Sequence, residues 1–293
     1  MKTLDRFQGV SPVLLSSSCT VKANNSAIPD SGQLSYPFRK AIVIEEIRWT
    51  MSSELVGGKN LGALVATKLS IGQLYLMRDP MPVWLLGTMM DQSLEDARDF
   101  STAPASDFGH YRWRLPEPLY LEAGQVLSSW FTRGDDGLGD IDVQVSYVGK
   151  TVAPSQPKPG LIAVPYAAPF VTTLGQVYQQ SNEFNLFNPF DVPIRVQRLT
   201  GRVLKFAPPF VSAAMALTPA VPGSGLTILM NDSWGGKMVN NNTGPGDVFD
   251  VLRAAWTVDT IMPPKGVYEV RAWNIPADLQ LHVGLIGVRE ERI

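Results

Sequence analysis

Cysteine and histidine are nearly absent from this 293-residue chain, which contains one cysteine and two histidines. The single cysteine, Cys19, excludes a disulfide within the chain and is compatible with assembly in a reducing compartment. Together with His110 and His282 it provides only three thiol or imidazole ligands, and they are not spaced as a zinc site requires. We therefore expect solvated or hydrogen-bonded histidines and no cofactor.

Charge of either sign is also sparse. The chain has 25 Lys and Arg against 27 Asp and Glu, a net charge of −2. Direct nucleic-acid binding relies on a basic face that displaces counterions, so it is not expected here. One group of basic residues is interpreted as a solvated strand face: Arg195, Arg198, Arg202 and Lys205. No apolar run reaches 18 residues, so no membrane-spanning helix is predicted.

Recognisable catalytic motifs are missing as well. Gly223-Ser224-Gly225 lacks the glycine spacing of a nucleophile elbow. Gly57-Gly58-Lys59 precedes a strand-like run instead of the helix of a phosphate-binding loop. Glu117 and Asp142 can be nominated as paired carboxylates, but nothing in the sequence sets a working separation between them. The chain is predicted not to be an enzyme.

The densest acidic run spans residues 135–142. Its carboxylates Asp135, Asp136 and Asp140 are the candidate metal ligands, and with loop carbonyls they would suit calcium. The run lacks the 12-residue loop pattern and the closing glutamate of a calcium-binding loop. A hairpin loop containing two glycines is the simpler interpretation.

Tryptophans offer a different kind of site. Six of the seven lie in strand-like runs, where burial in a core or an interface is usual: Trp49, Trp84, Trp113, Trp130, Trp256 and Trp273. Only Trp234, in a glycine-rich loop, is a candidate recognition or contact residue. A sugar-binding platform is the alternative interpretation of this set.

Strand and turn chemistry is what the chain has in quantity. Hydrophobic residues make up 45%, and the chain contains 25 glycines and 23 prolines. Short apolar runs bounded by Gly, Pro or Asp predict strands near 41–51, 63–71, 73–77, 83–87, 111–115, 119–121, 125–132, 141–148, 192–206, 210–217, 226–230, 248–258, 267–273 and 279–288. One short helix is predicted over 93–98, and the predicted fold class is all-β.

Two segments match at an offset of 152 residues. One reads Pro37-Phe38-Arg39-Lys40-Ala41-Ile42-Val43-Ile44-Glu45-Glu46-Ile47 and the other Pro189-Phe190-Asp191-Val192-Pro193-Ile194-Arg195-Val196-Gln197-Arg198-Leu199. In both, the alternation of apolar residues slips by one position, at Glu45-Glu46 and at Gln197-Arg198. A β-bulge absorbs such a slip by adding one residue to a strand. A bulge at the same place in both copies indicates a duplicated β-unit.

The ends of the two copies correspond at smaller offsets. The segment at 121–126 matches 263–268 at an offset of 142, and 142–146 matches 278–282 at an offset of 136. The second copy has therefore lost residues in its loops, where losses are tolerated.

The pattern predicts four regions. Residues 1–35 are polar and Ser/Asn-rich and form an N-terminal arm, with one strand-like run at Val13–Leu15. Residues 36–150 form the first β-sandwich, 151–187 a proline-rich linker, and 188–293 the second β-sandwich. The linker is apolar enough that we expect it to lie along a domain surface or under a neighbouring subunit.

Two tandem β-sandwiches joined in this way resemble the double jelly-roll major capsid proteins of icosahedral bacteriophages and viruses. The resemblance covers most of residues 36–293 and rests on architecture and the internal repeat. It implies two jelly rolls standing side by side, a homotrimer that forms a pseudo-hexagonal capsomer, and a place in the virion after assembly in the host cytoplasm.

The same resemblance implies contacts with neighbouring capsomers and other virion proteins. Residues 1–35 would be an inward or lateral arm that can meet an internal membrane, and loops 88–112 and 231–247 would project as towers or contacts. Three alternatives stay open from the residues alone: a trimeric decoration or minor capsid protein of a tailed phage, a carbohydrate-binding β-sandwich protein, and a glycosidase, which would require a cleft with two carboxylates.

Overall fold

The structure is a computed structural model of the chain. It describes residues 10–28, 40–53, 61–72, 74–77, 79–89, 108–133, 139–152, 161–171, 182–205, 214–219, 228–229, 254–273 and 279–292. Within these residues the helices are two single turns, Leu61–Leu64 and Val83–Leu86. None of the helices described there is long and apolar enough to cross a membrane.

Eighteen strands are described, ten in the first half of the chain and eight in the second. The first ten are β1 Pro12–Val21, β2 Ser26–Ala27, β3 Ile42–Ser53, β4 Ala66–Ile71, β5 Leu74–Tyr75, β6 Met81–Pro82, β7 Thr88–Met89, β8 Phe108–Leu121, β9 Leu127–Thr132 and β10 Ile141–Thr151. The others are β11 Leu161–Val171, β12 Asn182–Phe187, β13 Ile194–Lys205, β14 Ala214–Pro219, β15 Ile228–Leu229, β16 Ala254–Met262, β17 Val267–Trp273 and β18 Leu279–Arg292.

The strands form four antiparallel sheets that repeat one connectivity. The large sheets have the orders β1-β10-β3-β8-β7 and β11-β18-β13-β16, and the small sheets β2-β9-β4-β5 and β12-β17-β14-β15. Strand for strand, the second half reproduces the first, apart from β6 and β7. Each half is an eight-stranded jelly roll, so the predicted fold class is confirmed. We call residues 12–151 roll 1 and residues 161–292 roll 2.

Both predicted bulges are present and equivalent. The pairing of β3 skips Glu45, and the pairing of β13 skips Gln197, again at an offset of 152. A glycine stands opposite each bulge, Gly149 in β10 and Gly287 in β18. A Cβ at Gly149 would collide with the Val43 carbonyl oxygen, and one at Gly287 would lie 2.6 Å from the Arg195 carbonyl oxygen. Each bulge therefore requires a glycine on the neighbouring strand.

The offsets at the ends of the repeat differ from the predicted ones. The turns Glu122–Gln125 and Pro263–Gly266 close through equivalent hydrogen bonds at an offset of 141, not 142. Their left-handed positions are Gly124, with φ 84°, and Lys265, with φ 56°. Gly149 and Gly287, which stand opposite the two bulges in the last strand of each half, give an offset of 138 residues, whereas the predicted offset is 136. A two-residue shift preserves strand alternation, so the sequence pattern alone does not distinguish 136 from 138.

The edge strands lie in segments that the sequence assigns to the arm and to the linker. Strand β1 pairs with β10 along its whole length, from Pro12↔Lys150 to Val21↔Ile141. Strand β11 occupies the equivalent edge of roll 2 and pairs with β18. Alternate N–H groups of an edge strand point away from its partner, so an edge strand accommodates prolines such as Pro165 and Pro169.

The core of roll 1 lies between its two sheets. Its largest members alternate along the large-sheet strands and are almost fully buried: Ile44, Ile47, Trp49, Met51, Tyr111, Trp113 and Tyr147. Trp49 and Trp113 stack with ring centroids 6.5 Å apart. Tyr147 exchanges a hydrogen bond with Ser129 of the small sheet, which links the two layers.

Candidate assembly surfaces

The two rolls are joined first by strand β11. The Ala167 N–H donates to the Leu76 carbonyl oxygen at 3.2 Å, and Met77 and Ala167 form a parallel bridge. Ala167, Leu76 and Met77 are all fully buried. The edge strand of roll 2 therefore lies directly against the segment that follows β5 of roll 1. The sequence expectation that residues 151–187 lie along a domain surface describes this part of the contact.

A second contact is made by the helical turn Val83–Leu86, which the sequence predicts as a strand. Its apolar residues Val83, Trp84, Leu85 and Leu86 are all buried. The turn lies on the outer face of the large sheet of roll 2, which is the face turned away from that roll's own small sheet. A run of Val, Trp and Leu is typical of a strand, and here tertiary contact overrides that propensity.

Hydrogen bonds fix the turn on that face. The Trp84 indole N–H donates to His282 Nδ1 at 3.0 Å, and the two rings meet edge to face at 5.1 Å. The Thr200 hydroxyl donates to the Leu85 carbonyl oxygen at 3.2 Å, and Arg198 Nη2 donates to the Leu86 carbonyl oxygen at 2.7 Å. These donors satisfy carbonyl groups that a single helical turn leaves unpaired.

Close packing at this contact depends on Gly284 of β18. A Cβ at this position would collide with the Met81 methyl group and lie 2.6 Å from the Thr200 hydroxyl oxygen. The absence of a side chain therefore allows roll 1 to approach the backbone of roll 2. At the rim, Arg195 Nη2 lies 3.1 Å from Glu117 Oε1, and both side chains are about half exposed, so this pair adds little stability.

The outer face of the large sheet of roll 1 presents a different surface. Leu14 of β1 is 67% exposed, and Ser18, four residues along the same strand, is also exposed. Further along the face, Glu46 lies beneath three arginines whose side chains are 35–75% exposed: Arg48, Arg112 and Arg114. The carboxylate of Glu46 is therefore shared among several guanidinium groups on this face.

The candidate metal ligands of the acidic run 135–142 are described only in part, so the structure does not test them. Asp135 and Asp136 lie outside the described residues, and Asp140 is exposed. No group of three or more His, Cys, Asp or Glu residues suited to a metal occurs among the residues that the structure describes. The base of this loop is held by the buried Arg133, whose Nη1 donates to the Gly139 carbonyl oxygen at 2.6 Å.

The other candidates are distributed as follows. Trp234 and the predicted helix at 93–98 lie outside the described residues. Of the nominated carboxylates, Glu117 pairs with Arg195, and Asp142 accepts a hydrogen bond from the Thr20 hydroxyl at 2.6 Å. In the basic group, Arg195 and Arg198 contact roll 1, while the side chains of Arg202 and Lys205 lie outside the described residues.

Among the tryptophans, Trp49, Trp84 and Trp113 are buried, as predicted. Trp130 is not part of the core, because it is 42% exposed on the small sheet of roll 1, with Lys68 Nζ 6.0 Å from its ring centroid. The half-buried thiol of Cys19 is shielded from solvent and lies near Asp142, and together these effects raise its pKa to about 11.

Sequence reasoning missed the contact between the rolls, although β18 carried a signal for it. The face assigned as polar, from Gln280 and His282, continues as Gly284, Ile286 and Val288. A strand with apolar residues on both faces is typical of one covered on both sides. His282, Gly284, Ile286 and Val288 are all buried.

Three solved structures to which this chain is similar are capsid proteins or a capsid by name. The crystal structure of the STIV MCP, from Sulfolobus Turreted Icosahedral Virus, matches with a TM-score of 0.56 at 12% identity, covering 95% of this chain and 96% of that one. The major capsid protein P2 of bacteriophage PM2 matches with a TM-score of 0.46 at 12% identity, covering 96% of this chain and 98% of that one. The PBCV-1 virus capsid matches with a TM-score of 0.48 at 11% identity, covering 97% of this chain and 95% of that one. No family model and no curated protein matches the sequence. The first match establishes a shared fold along almost the whole chain.

Proposed function

We propose that the chain is a viral capsid protein, and specifically the major component of an icosahedral shell. The observation that carries the proposal is the fold itself. Two jelly rolls of one connectivity stand in one chain, and the STIV MCP has the same architecture over 96% of its length. The proposed location is the virion, after assembly in the host cytoplasm.

The proposed capsomer is a homotrimer with six jelly rolls. The contact between the rolls joins unlike surfaces. Roll 1 contributes residues 76–77 and 79–86, with Glu117 at the rim, and roll 2 contributes the outer face of its large sheet and the edge strand β11. A contact between two unlike surfaces can be repeated from one jelly roll to the next. The repeated contacts form a closed ring when the rotations between successive rolls add up to a full turn. Three chains would supply six such steps, alternating within and between chains. A chain with two similar rolls can thus tile a hexagonal lattice.

Rigid docking of the rolls supports a structural role. The buried Trp84–His282 hydrogen bond, together with Thr200 and Arg198, holds the rolls at one relative orientation. A shell component must present its contact surfaces at fixed angles. We propose that the chain has no enzymatic role. Its proposed partners are neighbouring capsomers and other virion proteins. The N-terminal residues are proposed to contact an internal membrane where the virion has one.

Mass spectrometry of purified virions tests this function, with copy numbers measured for every component. A major shell protein should dominate the protein mass and occur in hundreds of copies or more. A few copies per particle would instead indicate a minor component. Complete absence from particles would overturn the capsid assignment.

A further inference from the structure

The two histidines of the chain lie in opposite surroundings. His110 of β8 is exposed on roll 1, where its Nδ1 lies 3.2 Å from the Thr50 hydroxyl. His282 of β18 is 2% exposed and lies at the contact between the rolls. Histidine is the side chain whose ordinary pKa, about 6.5, falls in the mildly acidic range. His282 therefore places a titratable group inside the contact that holds the two rolls together.

The geometry fixes the protonation state of His282. An indole N–H can only donate a hydrogen bond, and that of Trp84 donates to His282 Nδ1 at 3.0 Å. Nδ1 is therefore the unprotonated nitrogen, and the docked imidazole is neutral. A proton on Nδ1 would turn this acceptor into a donor and remove the hydrogen bond. It would also place a positive charge where solvent hardly reaches.

The strands of roll 2 around His282 offer this charge no compensation. All four charged residues of β13 are cations, and β13 pairs Arg202 with His282. The other neighbouring strand, β11, contains no charged residue. In β18 itself the charged residues begin only at Arg289. A proton on His282 would thus be added beside a strand that already carries only positive charge.

The part of roll 1 that covers His282 offers little more. The turn Val83–Leu86 contains no charged residue. In the rest of the described covering segment, residues 76–77 and 79–82, the charged residue is Asp79, and it is exposed. At the rim, Glu117 pairs with Arg195 of roll 2. The contact is therefore built for a neutral ring at this position.

We propose that the Trp84–His282 pair makes the contact between the rolls sensitive to acid, so that roll 1 releases the outer face of roll 2 when His282 is protonated. In the released state the ring is solvated and takes up a proton below about pH 6.5, whereas the docked ring resists protonation. Docking is thus fully stable above about pH 6.5. It weakens by up to about tenfold for each pH unit below that value.

The release would be confined to one contact. Trp84, Leu85 and Leu86 are buried and would become accessible to solvent. The hydrogen bond from the Ala167 N–H to the Leu76 carbonyl oxygen involves no titratable group and would still tether the rolls. Because the chain has no other buried histidine, each β-sandwich should stay folded while the contact opens. The proposal concerns a single chain and does not depend on the capsid function.

Hydroxyl-radical footprinting of the full-length chain at about pH 7.5 and about pH 5 tests the proposal. Trp84 and Met81 are buried at the contact, and Trp49 and Trp113 are equally buried in the core of roll 1, so they serve as internal references. Oxidation of Trp84 and Met81 should rise at least about tenfold at the lower pH, which lies about 1.5 units below the ordinary pKa of histidine. Oxidation of the reference tryptophans should change less than about twofold.

Two variants assign the response to one ring. His282→Asn keeps an acceptor near the position of Nδ1 but cannot be protonated, so Trp84 should stay protected at both pH values. His110→Asn removes the exposed histidine and should respond to acid as the unmodified chain does. If Trp84 is already oxidised in His282→Asn at neutral pH, NMR titration of the two histidine rings of the unmodified chain decides. His110 should then titrate near pH ~6.5, and His282 only together with the release of Trp84.

Three results would overturn the proposal. The first is equal oxidation of Trp84 at both pH values in the unmodified chain. The second is an acid response that persists in a docked His282→Asn chain. The third is a His282 ring that takes up a proton near pH ~6.5 while Trp84 stays protected. None of these results bears on the capsid function, which the composition of purified virions tests separately.

Discussion

The last strands of the two rolls occupy the same place in the fold and have different surroundings. In β10, Val143 and Val145 are buried while Asp142 and Gln144 are exposed, so the strand alternates between core and solvent. In β18, every described residue from Gly284 to Arg289 is buried. The difference teaches that duplication preserved the connectivity while the outer faces diverged, and the face of roll 2 became apolar enough to be covered by roll 1.

The bulge glycines provide the strongest test of the shared part of this comparison. Gly149→Ala would drive a Cβ into the backbone carbonyl of Val43, and we expect a loss of about 4 kcal/mol of unfolding free energy. Gly287→Ala meets the Arg195 carbonyl oxygen at a longer distance, 2.6 Å, and should cost less. Denaturant unfolding measures both. A cost below 1 kcal/mol for Gly149→Ala would show that the bulge does not demand glycine.

Trp84 tests the feature in which the two rolls differ, which is the covering of the outer face of roll 2 by roll 1. Trp84→Ala removes a buried ring and leaves His282 Nδ1 without its donor, so a loss of about 3–5 kcal/mol is expected. Trp84→Phe keeps most of the ring and should lose only about 1–2 kcal/mol. Calorimetry should also show the single transition splitting into two in Trp84→Ala. Unchanged, single-step unfolding would contradict rigid docking of the rolls.

Two threonines on corresponding faces sharpen the comparison. Thr200→Val removes the buried hydroxyl that donates to the Leu85 carbonyl oxygen, and we expect a loss of about 1 kcal/mol. Thr50 lies on the open face of roll 1, where its hydroxyl contacts His110 Nδ1 at 3.2 Å in an exposed position. Thr50→Val should change stability by less than about 0.5 kcal/mol in the isolated chain. Equal effects would mean that the two faces are not covered differently.

Cys19 of β1 gives the smallest expected effect. Its pKa is raised to about 11, chiefly by burial and then by Asp142. Because the folded pKa lies above the unfolded value of 9.0, the folded state holds this proton more tightly. The resulting stabilisation is present below pH 9 and is lost as the pH rises toward 11. Iodoacetamide should therefore alkylate the folded chain at pH 8 far more slowly than the unfolded chain, and equal rates would contradict the packing of β1.

Strand pattern was enough to predict the duplication. The slip at Glu45 and at Gln197 is visible because side chains alternate with period two, and an extra residue inverts that alternation. The strand 267–273 was predicted with the observed bounds. Local alternation and turn residues contain this information, so it is readable without knowledge of the neighbouring strands.

Contacts between distant segments were not readable in the same way. The serine-rich run of β1 joins roll 1 only through pairing with β10, more than 100 residues later, as in Pro12↔Lys150. The turn at Val83–Leu86 has a strand-like composition, and its helical form depends on the face of roll 2 that it covers. Gly284 indicates a close approach of roll 1 to the backbone of roll 2 only once Met81 is known to lie against it.

Electron microscopy of the isolated oligomer tests the central claim most directly. The account predicts a particle of three chains, each of 32.1 kDa, with six lobes around a threefold axis. A particle with twofold symmetry, or a chain that stays monomeric, would contradict it.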